Sequence, residues 1–199
     1  TPKVLGGLAC AGPSVVVVIS IDPVPVVSSA ATKSICSGVS VNYVPTAAVA
    51  GTVFNWTSSV TVGTVTGNTA VGGLGTIADV LVNTTNVIGT VRYVITPVAN
   101  GCSGTPFNVD VTVDPQPTLS TVVTPLSQVL CSNTAMVIDA NSATVPSAGS
   151  VVYDYVAVAS DVSVTGFTAS AINQSLATNI SNLNVLNSSL IRQTITYTI

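Results

Sequence analysis

The chain has 199 residues, 47% of them hydrophobic and only 6% charged, with a formal net charge of −3 and a sequence pI near 4.2. That balance is too apolar for disorder. The four basic residues, Lys3, Lys33, Arg92 and Arg192, lie too far apart for a nucleic-acid footprint.

The apolar residues are mainly Val, Ile and Ala and the polar ones mainly Thr, Ser and Asn; Val, Ile and Thr are β-branched and fit a pleated surface better than a helix. The reading is all-β. In chain order, Val15–Ile19 is the longest apolar run, a strand well short of the ~20 residues that span a bilayer. Strands are predicted near 24–28, 38–44, 51–57, 60–66, 76–83, 89–96 and 106–113. Val39, Val41 and Tyr43 alternate with Ser40 and Asn42; Val91, Tyr93 and Ile95 alternate with Arg92 and Val94; Phe107, Val109, Val111 and Val113 share one face. Period-two runs split by Gly, Asn and Pro are half-buried antiparallel strands, and Asn100-Gly101 is a hairpin signal between the last two. About seven short strands in ~90 residues fit an immunoglobulin-like sandwich of two antiparallel sheets.

The chain repeats itself. Cys10 to Asp22 matches Cys102 to Asp114; Ile35-Cys36-Ser37 matches Leu130-Cys131-Ser132; Val65-Thr66-Gly67 matches Val164-Thr165-Gly166; Arg92-Tyr93-Val94-Ile95 matches Thr196-Tyr197-Thr198-Ile199. The offset grows from 92 to 104, as insertions collect in loops. Asp-Pro-x-Pro at 22–25 and 114–117 reads as a stiff linker. Cutting there gives 1–23 as the last strand of an upstream repeat, 24–115 as a complete module, and 116–199 as a second module lacking its own last strand. The chain is then an excerpt of a longer array, or an open groove in the second module accepts a strand from a neighbour. Trp56 and Tyr93 are the expected core aromatics of the first module, Tyr155 and Tyr197 those of the second.

Four cysteines at repeat-related positions predict disulfides in an oxidising compartment. Cys36 and Cys102 fall in one module and are paired, leaving Cys10 and Cys131 with partners outside the chain. The competing arrangement joins Cys10 to Cys36 and Cys102 to Cys131. No metal or cofactor is expected: His is absent and no C-x-x-C occurs. Catalysis is not expected either. Glu is absent too, and the seven Asp (22, 79, 110, 114, 139, 154 and 161) stand one at a time, without the facing pair that glycosidase or aspartic-protease chemistry needs. Asp22 and Asp114 are assigned to linker turns. Asn-x-Ser/Thr triplets at Asn55, Asn83, Asn173, Asn179 and Asn187 are read as products of an Asn/Thr-rich composition.

The segments "ICSG" (35–38), "GTVFNWT" (51–57) and "GTVRYVITPVANGCSGTPFNVDVTVDPQP" (89–117) resemble the PKD-like and Ig-like tandem repeats of giant Bacteroidota surface proteins, including gliding-motility adhesins exported by the type 9 secretion system. The resemblance implies export, display at the extracellular cell surface, and adhesion or filament building. Its implied partners are neighbouring repeats, the secretion and motility machinery of the outer membrane, and surface glycans or a substratum. It brings no catalytic residues. A stalk repeat is the leading function; a ligand-binding adhesin module and an accessory domain of a secreted hydrolase are the alternatives.

Overall fold

Alternating apolar residues and scarce helix formers produce strands throughout. The structure, a computed structural model, describes Pro2, Gly6 and residues 12–119, 127–176 and 179–199. Its elements are β1 (Thr32–Cys36), β2 (Val53–Val62), β3 (Val65–Thr66), β4 (Gly73–Leu74), β5 (Val82–Asn83), β6 (Gly89–Ala99), β7 (Cys102–Ser103), β8 (Phe107–Asp114), β9 (Thr134–Ile138), β10 (Val152–Ala159), β11 (Val164–Thr165), β12 (Ser170–Ser175), β13 (Ile180–Asn187) and β14 (Ile195–Thr198). The all-β expectation holds.

The first sandwich is built on a sheet of order β1-β8-β6-β2-β4, with β7 paired to β6. β1 runs parallel to β8, and the pairs of β6 with β2 and β8 are antiparallel. Its inner face is the alternating set read from sequence: Val91, Tyr93, Ile95, Val109, Val111 and Val113 are all 0% exposed. Each such burial stabilises by about 1.5–3 kcal/mol relative to exposure. The opposing layer holds β3 and β5, extended by Val41 N–H to Asp79 O (2.8 Å) and Tyr43 N–H to Ile77 O (3.0 Å). Trp56, 6% exposed, meets Tyr93 edge-on at 5.5 Å between centroids.

Some elements differ from expectation. Segment 24–28 is a single bridge, Val27 to Ala47, and 38–44 is held by bridges at Ser40 and Tyr43 only. The strands expected at 51–57 and 60–66 are one strand, β2, with β3 following left-handed Gly63 (φ 70°). β1 was not foreseen, because only Ile35 in it is buried and its pairing with β8 is remote in sequence. Asn100 and Gly101 both have positive φ (49° and 78°), the conformation a two-residue hairpin loop demands.

The second sandwich carries counterparts of most of this. β12-β10-β14 repeats β4-β2-β6, and β11-β13-β9 repeats the opposing layer. Met136, Ala140, Tyr153, Tyr155 and Ile180 form its core. Among the described residues there is no counterpart of β8 beside β14, and none of β1: residues 127–131 form no strand and are exposed. Tyr197 and Ile199 therefore stay half-buried, whereas Tyr93 and Ile95 are sealed.

Candidate functional site

Two places carry polar contacts that a core does not need: the junction between the sandwiches and the edge of β14. Because β8 runs from Phe107 to Asp114, Asp114 marks the C-terminal pole of the first sandwich, near the loop holding Asn86. Asp114 accepts the backbone N–H of Ser147 at 2.6 Å and its hydroxyl at 2.8 Å. Beside it, Val145 N–H donates to Asn86 O at 2.7 Å. The linker is fastened on the far side: Thr118 N–H donates to Thr144 Oγ1 (3.2 Å) and Ser142 Oγ to Thr118 O. A carboxylate accepting two donors is a strong local clamp. Its repeat-related partner, Asp22, accepts from Asn100 Nδ2 at 3.3 Å, on a loop at the N-terminal pole of the first sandwich. Sequence reading placed both Asp in the linker but gave no hint of Ser147 or Asn86.

Inside each sandwich one tyrosine is tied to a loop. Tyr93 Oη donates to Asp79 at 2.8 Å, and Asp79 also accepts Thr69 N–H and Oγ1. In the second sandwich Asn182 stands where Asp79 does: it accepts from Thr168 N–H and Oγ1, and its amide donates to Tyr197 Oη at 3.1 Å. Burial, then the hydrogen bond and charge of Asp79, push the Tyr93 phenol far above the ordinary tyrosine range. Tyr197 is raised by burial and by Tyr155, its neighbour at 5.9 Å. Across β6 and β8, Arg92 grips Asp110 through two bonds, at 2.7 and 2.8 Å, which lower the Asp110 carboxyl.

Asn83 closes the edge of the first sandwich. Its amide donates to Val87 O (2.7 Å) and to Val113 O on β8 (2.9 Å), while its carbonyl accepts from Thr85 N–H and Oγ1. Asn187 reproduces the loop: amide to Ile191 O (2.9 Å), carbonyl from Ser189 N–H and Oγ. The bond to β8 has no counterpart among the described residues. Both asparagines were read as products of an Asn/Thr-rich composition; their shared spacing to Thr85 and Ser189 was the signal of a structural role.

The expected Cys36–Cys102 bond is corrected by the fold. Cys36 lies opposite Asp114 at one end of β8, and Cys102 pairs with Ala99 at the other end. Eight residues of β8 separate these ends by about 25 Å, against the under ~7 Å that a disulfide spans between Cα atoms. Cys36, Cys102 and Cys131 are free thiols, and Cys10 lies outside the described residues. Cys131 occupies the place of Cys36 in the second sandwich, so a Cys102–Cys131 bond within one chain would have to cross both sandwiches.

Chemistry beyond this is sparse. A shallow depression of about 350 Å³ lies along Asn55, Thr57, Gly73, Leu74 and Thr96, open to solvent and without a titratable group. Among the described residues no group of three Cys, Asp, Glu or His side chains could hold a metal ion. No helix among them is long and apolar enough to cross a membrane. No curated protein and no solved structure matches the chain. Residues 33–117, the first sandwich from β1 through the linker, match the family model described as PKD-like domain, in keeping with the immunoglobulin-like all-β sandwich seen there.

Proposed function

We propose that the chain is a non-catalytic stalk segment of a secreted cell-surface adhesin, in which successive sandwiches are clamped end to end to give reach. The observation that carries this reading is the Asp114 clamp on Ser147, placed on the strand end that leads into the next sandwich. Asp22, one repeat earlier, accepts from a different loop, through Asn100 Nδ2 of the β6–β7 hairpin at 3.3 Å. The PKD-like match at 33–117 supports an extracellular structural or adhesive module. The resemblance to gliding-motility adhesins of Bacteroidota supports type 9 export and surface display as the setting.

Small-angle scattering on the chain and on Asp114→Ala tests the reading. A stalk predicts an elongated particle whose maximum dimension is narrowly distributed in the parent and broadens in the variant. A parent in which the two sandwiches sample all orientations, unchanged by Asp114→Ala, would count against it.

A further inference from the structure

One buried side chain of the first sandwich holds a polar group without a partner. Trp56 is 6% exposed, yet its indole N–H meets no acceptor. A buried donor left unpaired is costly, and a group that brings an acceptor recovers that cost. The way β4 packs accounts for the orphan. Gly73 pairs with Trp56 across the β2–β4 ladder, and a Cβ on Gly73 would overlap ring atoms that include Cε2, the carbon bonded to the nitrogen. The nitrogen edge of the indole therefore lies under bare backbone. β4 is only two residues long, set between left-handed Gly72 and Gly75 (φ 58° and 65°). So short an edge strand opens at low cost.

Trp56 also borders the depression of about 350 Å³ between β2, β4 and β6, a volume within the range of small-molecule sites. Asn55 and Thr57, two residues apart on β2, share its face, and Thr96 stands opposite Asn55 on β6. These three side chains take part in no hydrogen bond among the described residues. Leu74, 74% exposed, and Val94 add an apolar wall. The charges one row further along the sheet, Arg92 and Asp110, are satisfied by each other. The lining thus suits a neutral ligand rich in hydroxyls. An extended peptide would need a longer run of free strand edge than β4 offers.

We propose that this depression seats a neutral sugar bearing an N-acetyl group, which makes the first sandwich a glycan-binding module as well as a structural one. The sugar hydroxyls pair with Asn55, Thr57 and Thr96, and the acetyl methyl packs on the apolar wall. The acetamido carbonyl, a strong acceptor on a short arm, takes the indole N–H as β4 yields. A plain hexose has no such arm. The seat lies within one sandwich, so it stands or falls apart from the stalk reading.

Trp56 is the only tryptophan of the chain, so its emission reports on the site directly. The test titrates the chain with N,N′-diacetylchitobiose, with cellobiose, which lacks the acetamido groups, and with N-acetylalanine amide, which lacks the sugar. The triple variant Asn55→Ala, Thr57→Ala, Thr96→Ala is titrated beside it, as is Leu74→Asp, whose exposed position leaves the fold intact. Diacetylchitobiose is expected to shift the Trp56 emission and to bind at least about 10-fold more tightly than either comparison compound, the difference one buried hydrogen bond makes. Both variants are expected to lose at least about 10-fold in affinity for it. Emission unmoved by millimolar diacetylchitobiose, equal binding of cellobiose or of N-acetylalanine amide, or undiminished binding by Leu74→Asp would each overturn the proposal.

Discussion

Repeated glycines show at the residue scale why the chain keeps certain letters. Gly67 and Gly166 have φ of 88° and 78°, and a Cβ on either would overlap the carbonyl oxygen of Val80 or Asn184. Left-handed backbone and a close strand approach coincide, so Ala at either position is expected to cost about 1–3 kcal/mol. A urea titration of each variant measures this; an unchanged midpoint would remove the explanation. Tyr93 makes a pH-dependent prediction. Its folded pKa lies above its unfolded value of about 10, so its contribution is fully present below that pH. As pH rises past it, the unfolded state releases the phenolic proton first and stability falls. Tyr93→Phe should flatten this alkaline decline in thermal melts, whatever it does to stability at neutral pH.

Among the elements, the strands with unbroken alternation were legible. Val91, Tyr93 and Ile95, or Val109, Val111 and Val113, declare a buried face by spacing alone. β1 was not legible, since a parallel partner some 78 residues away leaves no local periodicity. Asn83 was illegible for a related reason: its value lies in a bond to β8, and composition alone produces the same triplet. The two asparagines now make a comparison. Asn83→Ala strands buried backbone groups and should cost about 1–3 kcal/mol. Asn187→Ala should cost less, since among the described residues its amide makes no bond to a β8-type strand. Denaturation of both variants reads this, and equal costs would contradict it.

For the whole molecule, the arrangement of poles governs both clamp and cysteines. Cys36 sits at the C-terminal pole of its sandwich and Cys102 at the N-terminal pole, so the two cannot pair within one sandwich. Sequence proximity within a module hid this, because β8 carries the chain from one pole to the other between Cys102 and the linker. The account as a whole turns on one asymmetry among the described residues: β6 is paired with β8 on its outer side, and β14 has no such partner. Backbone hydrogen exchange on this chain addresses it most directly. The account predicts slow exchange along β6 at Val91, Tyr93 and Ile95, and fast exchange at alternate amides of β14 between Ile195 and Ile199. Equal, strong protection of β6 and β14 would contradict it.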